Sequence, residues 1–430
     1  MNTIRAVFLS AIVSACADSM TSPTPGPSTP SGPVTATVSY CTGLEPLWVA
    51  FQDGDGAWTR ALPTASDGKT VFQFTFASNR GAIATATAGA QGMTDLHVLY
   101  GSPAELEAEG DVSPRFCSSA ATKTLLGTVA GLDTNEIAFI RVGGSGAQAF
   151  ILPGDPGDFT LQVVPPGPRD LLATRATHTT SEALLTRLIL RRGIDVPDGG
   201  TLPVLNFRSD EAFAPAVANV SITGAEVDGA FSSTRLRTSS LDAEVSLNSV
   251  PTGEVTRPYR AVPEQRLLPG DLQVLTASTS GGGTVPGSAR SAILYFRAPM
   301  DRTLMLGAHI IPPTFSTVTT APYLRLRARF TPQSDYDRAT SIAYQQGSTT
   351  IVAVSMTAAY AGANAAGYDL IIPDLSQVAG FDPAWALQPA EELRWGASRI
   401  GGAIGFGVDP VVSDGATQRT AFLGGTLTPQ

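Results

Sequence analysis

The segment Tyr323-Leu-Arg-Leu-Arg-Ala-Arg-Phe330 alternates strictly between apolar and charged side chains. Because successive side chains of a strand point to opposite faces of a sheet, this alternation predicts a strand with one apolar face. The apolar face consists of Leu324, Leu326, Ala328 and Phe330. Arg325, Arg327 and Arg329 share the opposite face. A helical period of 3.6 residues would mix the two sets, so the segment favours β-structure.

Short runs rich in β-branched and aromatic residues recur along the chain, separated by glycine, proline and aspartate. The runs predicted to be strands cover 35–41, 47–51, 71–76, 83–88, 95–100, 124–129, 137–140, 150–152, 159–164, 351–356, 368–373 and 392–397. The 43 glycines and 32 prolines, with only 15% charged residues, favour many short strands over long helices. One short helix is expected at Ser102-Pro-Ala-Glu105, a capping box, and should end by Gly110. The predicted fold class is therefore all-β.

The middle of the chain contains a sequence pattern similar to that of a known domain family. The run 159–173, Phe-Thr-Leu-Gln-Val-Val-Pro-Pro-Gly-Pro-Arg-Asp-Leu-Leu-Ala, joins an alternating strand to a Pro-Gly turn. It resembles the carboxypeptidase regulatory-like, transthyretin-like β-sandwiches, although Gly154-Asp-Pro-Gly-Asp158 stands where that family has an Asp-Gly hairpin. Segment 267–277 is similar to 164–173, and segment 291–297 is similar to 186–192. The two pairs are separated by nearly the same number of residues, which predicts a duplicated sandwich.

A chain of 430 residues is too long for one hydrophobic core. We expect three to four antiparallel β-sandwich domains, of immunoglobulin-like or transthyretin-like type, in series after a disordered tether. The expected boundaries are a signal peptide at 1–15, a linker at 16–34, and sandwiches at 35–117, 118–208, 209–319 and 320–430. The third sandwich is the candidate repeat of the second.

The N-terminal segment has the features of an export signal. One cation, Arg5, precedes an apolar stretch at 6–15 that is too short to remain in a bilayer as a spanning helix. Its end, Val13-Ser-Ala-Cys16, resembles the lipobox of bacterial lipoproteins. The resemblance implies that Cys16 is acylated, with palmitate as an acyl group, and becomes the mature N-terminus. Proline, serine and threonine in 16–34 then form a tether. Ordinary secretion without the lipid is the alternative.

The lipoprotein resemblance also bears on location. In diderm bacteria an aspartate directly after the acylated cysteine favours the inner membrane, but here Ala17 takes that place and Asp18 follows. We therefore expect the outer membrane or cell surface, with the periplasmic side left open. A net charge of -9 argues against nucleic acid as a partner. The expected partners are the membrane, through the lipid, and protein or polysaccharide.

Beyond Cys16, the chain has two cysteines, Cys41 and Cys117. An exported compartment permits oxidation, and two cysteines suffice for one bridge. We expect a Cys41–Cys117 disulfide in the first sandwich, with two buried free thiols as the alternative.

Catalytic and metal motifs are weak in this sequence. There is no G-x-S-x-G elbow and no H-E-x-x-H, and His97, His178 and His309 each stand alone among strand or turn residues. We therefore assign no catalytic residue and no cofactor. Asp53 and Asp55 in Asp-Gly-Asp-Gly are weak calcium candidates, because the positions that follow do not fit an EF-hand and a hairpin turn is favoured.

The best ligand-binding candidates are aromatic. Trp48 and Trp395 lie within strand patterns and are expected in cores, whereas Trp58 and Trp385 lie in loops. Exposed tryptophan faces stack sugars in many β-sandwich lectin-like modules, so we select these two as candidate ligand-binding residues. Arg325 and Arg327, with Arg329, could contact an acidic glycan or form a solvated face.

These observations favour a non-catalytic envelope lipoprotein that acts as a surface scaffold or binding module for protein or polysaccharide. Two other classes stay open. An envelope hydrolase would require a cleft with a carboxylate pair or a histidine near a hydroxyl. A subunit of an envelope assembly would be favoured by a long exposed edge strand.

Overall fold

The computed structural model describes residues 33–41, 45–66, 69–89, 92–110, 122–143, 147–178, 183–225, 229–250, 255–279, 287–362, 367–389, 392–404 and 412–429. The expected signal peptide, Cys16 and Cys117 lie outside these ranges. Nearly all regular structure is β, in several sheets, which confirms the all-β class. Among the described helices, none is long and apolar enough to cross a bilayer.

The first half of the described chain contains seventeen strands. They are β1 (Val34–Cys41), β2 (Trp48–Asp53), β3 (Thr59–Arg60), β4 (Thr64–Ser66), β5 (Lys69–Phe76), β6 (Gly81–Ala88), β7 (Thr94–Gly101), β8 (Lys123–Ala130), β9 (Glu136–Val142), β10 (Gln148–Ile151), β11 (Asp158–Val164), β12 (Arg169–His178), β13 (Ala183–Ile194), β14 (Leu205–Asn206), β15 (Ala216–Thr223), β16 (Ala230–Arg237) and β17 (Asp242–Val250).

The second half contains the other strands. They are β18 (Val255–Ala261), β19 (Leu272–Ser278), β20 (Ser288–Phe296), β21 (Arg302–Met305), β22 (Thr314–Thr319), β23 (Arg325–Phe330), β24 (Ala339–Gln346), β25 (Thr350–Thr357), β26 (Tyr368–Ile371), β27 (Leu393–Gly402) and β28 (Thr417–Leu427). The helices are α1 (Pro103–Gly110) and α2 (Ala358–Ala361), with 3-10 turns at Glu264–Arg266 and Pro383–Trp385.

One twelve-stranded sheet runs through the molecule in the order β17-β16-β19-β20-β28-β27-β24-β25-β7-β6-β2-β3. Within this sheet β7 and β25 pair in parallel, with His97 opposite Ala353. The sheet therefore contains strands from three of the ranges expected as separate sandwiches. The smaller sheets are β1-β5-β4, β10-β9-β12-β13, β11-β8-β14, β18-β15-β21 and β22-β23-β26. Parallel pairs also join β8 to β14 and β15 to β21.

Three of the smaller sheets cover the large one in layers. Sheet β22-β23-β26 buries its apolar face, including Leu326 at 1% exposure, against β2, β7, β24, β25 and β27. Sheet β1-β5-β4 packs on the opposite face near Leu99, and β18-β15-β21 packs on β16, β19 and β20. Sheets β10-β9-β12-β13 and β11-β8-β14 form a separate sandwich. Each buried leucine of this kind contributes about 1.5–3 kcal/mol.

The separate sandwich is joined to the large sheet by an apolar cluster that includes Leu172, Leu188 and Leu236. Beside it, Arg192 donates to the carboxylates of Asp170 at 2.9 Å and Asp271 at 2.5 Å. The two carboxylates are 10% and 5% exposed, so the arginine neutralises charges that are nearly out of water.

The predicted capping box is confirmed. The Ser102 backbone N–H donates to Glu105 Oε2 at 2.9 Å, and α1 ends at Gly110 as expected. Thr357 Oγ1 also donates to this carboxylate at 2.8 Å, which ties α1 to the end of β25. Nearby, Cys41 is buried at 5% exposure at the end of β1. Because Cys117 lies outside the described ranges, the expected bridge stays a prediction.

Candidate ligand-binding surface

Three aromatic rings meet at one end of the large sheet. Trp58 packs edge-on against Tyr100 with ring centroids 6.4 Å apart, and Tyr100 packs against Tyr360 at 5.0 Å. All three residues are half-buried. We call Trp58, Tyr100, Tyr360, Arg80 and Asp55 the aromatic surface.

The β2–β3 turn places Trp58 there. Asp53 accepts hydrogen bonds from the backbone N–H groups of Ala77 at 3.0 Å and Ser78 at 2.9 Å, which binds this turn to the β5–β6 turn. Burial opposes ionisation of Asp53, but these donors outweigh it and lower its pKa. Gly54, with φ +55°, supplies the left-handed residue that the turn requires.

Charged groups border the rings. The Arg80 guanidinium lies 5.3 Å from the centroid of the Tyr360 ring, a cation–π arrangement, and forms an ion pair with Asp55. The Arg80 and Asp55 side chains are 41% and 75% exposed. A hydrogen-bond donor and an acceptor, both partly in solvent, thus lie beside the rings.

The two tyrosines stay neutral at physiological pH. Burial raises the pKa of Tyr100, and the neighbouring Tyr360 raises it further. Burial, with the Asp55 carboxylate, likewise raises the pKa of Tyr360 despite the opposing effect of Arg80. Their hydroxyls can therefore donate as well as accept hydrogen bonds.

Trp385 lies in a different group of rings. It follows Asp382, which caps the 3-10 turn by accepting from Ala384 N–H at 2.9 Å. Its ring lies 5.8 Å from Phe381 and 6.3 Å from Trp48. Trp385 is half-buried and packs on the same core as Trp58. Both tryptophans pack in ring groups, but the group of Trp58 also has the exposed Arg80–Asp55 pair beside it, so we select Trp58 as the stronger ligand-binding candidate.

The tryptophans expected in cores are there. Trp48 and Trp395 are 2% and 9% exposed. Trp48 Nε1 donates to the Ala379 carbonyl at 3.1 Å, which satisfies its polar atom.

The arginine stripe lies on the outer face of β23 as predicted, and aspartates face it. Arg325 Nε donates to the Ile372 carbonyl at 2.9 Å, and its Nη1 lies 3.6 Å from Asp374. Arg327 and Arg329 share Asp369, at 3.2 and 3.5 Å. These partners come from β26 and the segment after it, so the strand sequence alone does not reveal them.

Asp53 and Asp55 do not converge on a shared point. Asp53 caps backbone N–H groups, whereas Asp55 pairs with Arg80. Asp335 and Asp337 likewise accept from separate backbone groups, at Ala308 and Gly402. Within the described residues, no group of three or more His, Cys, Asp or Glu side chains could hold a metal ion.

Two histidines lie within reach of serine hydroxyls. His97 Nε2 is 3.1 Å from Ser355 Oγ, and His309 Nδ1 is 2.8 Å from Ser288 Oγ. Sequence reasoning missed these pairs because their members come from different strands and loops. Burial lowers the pKa of His97 to about 4, so its ring is neutral near pH 7 and is a weak base.

The setting of the His97 pair does not suit acyl transfer. Ser355 is 6% exposed and lies in β25, which pairs with strands on both sides. A nucleophile needs access to a substrate carbonyl and free N–H donors for the oxyanion, and a central strand offers neither. Ser288 is similarly buried, at 3% exposure.

Comparison with known proteins gives no identity. No family model matches the chain. No curated protein matches it. Among solved structures, the TIE protein of Bacillus anthracis is similar at 8% identity and a TM-score of 0.15, over 93% of this chain and 67% of that one. A likeness at this level carries no argument about fold or function.

Proposed function

We propose that the protein is a non-catalytic, lipid-tethered binding protein of the cell envelope, and that the aromatic surface binds polysaccharide. The observation that carries the proposal is the group Trp58, Tyr100 and Tyr360 beside the Arg80–Asp55 pair. Sugar rings present C–H faces to aromatic rings and hydroxyls to charged hydrogen-bonding groups. The aromatic surface offers both kinds of contact side by side. Protein is the alternative ligand.

Glycan binding can be tested with envelope polysaccharides embedded in native gels. Trp58→Ala should weaken retardation about 2- to 10-fold, since an aromatic contact contributes about 0.5–1.5 kcal/mol beyond its buried area. Phe150→Ala is a matched control, because Phe150 is an exposed aromatic residue, at 48%, in a separate sandwich. An equal effect of both variants, or no effect of Trp58→Ala, would reject the site.

A hydrolase is the second candidate, and the His97–Ser355 contact is the observation in its favour. The burial of Ser355 within a central strand argues against it. A fluorophosphonate probe distinguishes the two, because it labels activated serines. Labelling of Ser355 that disappears in His97→Gln would replace the binding proposal with the enzyme.

The tether and location are part of the same proposal. Acylation at Cys16, followed by the proline-rich segment, would anchor the sandwiches at the outer membrane or cell surface, with the periplasmic side left open. Metabolic labelling with a clickable palmitate analogue tests this directly. Wild-type protein should be labelled and Cys16→Ala should not, whereas equal labelling would remove the anchor from the proposal.

A further inference from the structure

The strand β22, Thr314–Thr319, forms an edge of the sheet β22-β23-β26. We propose that this edge binds an extended acidic peptide, which adds to the sheet as a further strand beside β22. The inference concerns a surface distinct from the aromatic surface and does not rest on glycan binding.

Three other edges in the described chain, those at β1, β13 and β18, are covered or interrupted. At β1, the backbone N–H of Thr37 donates to Glu107 of α1 at 3.3 Å. At β13, Arg187 and Arg191 donate to carbonyls of the adjoining segment 203–212. β18 contains Pro258, which cannot donate to a neighbouring strand. Such features prevent a further strand from pairing.

The sequence and the outward side chains of β22 differ from those of these edge strands. Its sequence, Thr-Phe-Ser-Thr-Val-Thr, is uncharged and has high β propensity. Phe315 fixes the strand from inside, with its ring 5.1 Å from that of Trp395. The outward side chains of Thr314, Ser316 and Val318 are small and exposed. A register shift after Thr317 leaves Thr314–Thr317 as the regular stretch.

The charges next to β22 indicate what kind of strand would bind. In the ladder, Thr314 lies opposite Arg329 and Ser316 opposite Arg327. The two guanidinium groups share the single carboxylate of Asp369 and are 61% and 33% exposed. An added strand would lie about 10 Å from β23, and the small side chains of β22 let arginines reach across it. Acidic residues at alternate positions of the added strand would then form ion pairs with Arg327 and Arg329.

The test is fluorescence polarisation of a labelled peptide in which glutamate alternates with threonine or valine, titrated with the full chain. Binding should weaken with added salt, because partly exposed ion pairs are screened. A peptide with glutamine in place of glutamate should bind at least 3-fold more weakly. Equal binding of both peptides would overturn the charge argument.

Two variants of the protein test the site itself. Arg329→Gln should weaken binding about 2- to 5-fold, as for a partly exposed ion pair. Arg208→Gln is the matched control, since Arg208 is 63% exposed and also pairs with one aspartate. Loss of affinity in both variants, or in neither, would overturn the proposal.

Ser316 provides a second pair of variants. Ser316→Asp keeps the strand, offers Arg327 a carboxylate and repels an acidic peptide, so binding should fall more than 5-fold. Ser316→Asn should leave it unchanged. If Ser316→Asp does not fold, the comparison of Arg329→Gln with Arg208→Gln decides whether the peptide binds at β22. Failure of the peptide to bind while an acidic polysaccharide does, or self-association of the chain through β22, would overturn the proposal in favour of that occupant.

Discussion

Acidification should destabilise the molecule through His97. The ring lies on β7, largely buried, with Nε2 3.1 Å from the Ser355 hydroxyl. Burial lowers its pKa to about 4 from the ordinary value of 6.5. As pH falls below 6.5, the unfolded chain takes up a proton at this position and the folded chain does not. Titration of His97 therefore does not change the free energy of unfolding above pH 6.5. Between pH 6.5 and 4 it lowers that free energy progressively.

The size of the effect follows from the two pKa values. The difference between the two pKa values corresponds to about 3 kcal/mol of unfolding free energy when the effect is complete, and to about 2 to 3 kcal/mol at pH 4.5. Burial raises the pKa of Asp95, which acts with the opposite sign, because protonation then favours the folded state. A variant that removes only the imidazole separates the two groups.

The assay compares wild type with His97→Gln by chemical unfolding at pH 7 and 4.5. Glutamine can still contact the Ser355 hydroxyl but carries no titrating proton, so the variant should lose about 2 to 3 kcal/mol less unfolding free energy on acidification. NMR titration of the ring protons of the three histidines gives the pKa directly. A midpoint near 6.5 for the signal absent from His97→Gln would refute the argument, as would equal acid destabilisation of the two proteins.

Two further predictions concern the joints of the fold. Arg192→Met should cost about 3 kcal/mol in unfolding free energy because it leaves two nearly buried carboxylates without a counter-ion. The exposed Arg208→Met should cost under about 1 kcal/mol, and equal losses in denaturant melts would reject the assignment. The Cys41–Cys117 bridge should add about 4 kcal/mol by closing a long loop. Thiol counting in denaturant should then find neither cysteine reactive in exported protein, and two reactive thiols would exclude the bridge.

Local signals predicted local structure well. The alternation of 323–330 placed Leu326 in the core and the arginines outside, as β23 does. The capping box at Ser102 and Glu105 correctly located α1. Both depend on neighbours in sequence, where side-chain period and backbone capping determine the result.

Pairing between distant strands could not be predicted in the same way. β7 and β25 lie side by side in parallel although they are far apart in the chain. Their apolar patterns are similar to those of any buried strand and do not specify a partner. The His97–Ser355 contact and the ring contacts of Tyr100 and Tyr360 follow from this pairing, so only Trp58 could be selected from sequence.

The same pairing makes the aromatic surface depend on the whole fold. Trp58 comes from the β2–β3 turn, Tyr100 from the end of β7 and Tyr360 from α2 after β25. Separation of β7 from β25 would disperse the rings and expose Leu96 and Val98, which are fully buried against the C-terminal strands. Loss of that apolar burial opposes separation. A ligand held by all three rings would therefore bind only when the N-terminal and C-terminal parts of the chain are paired.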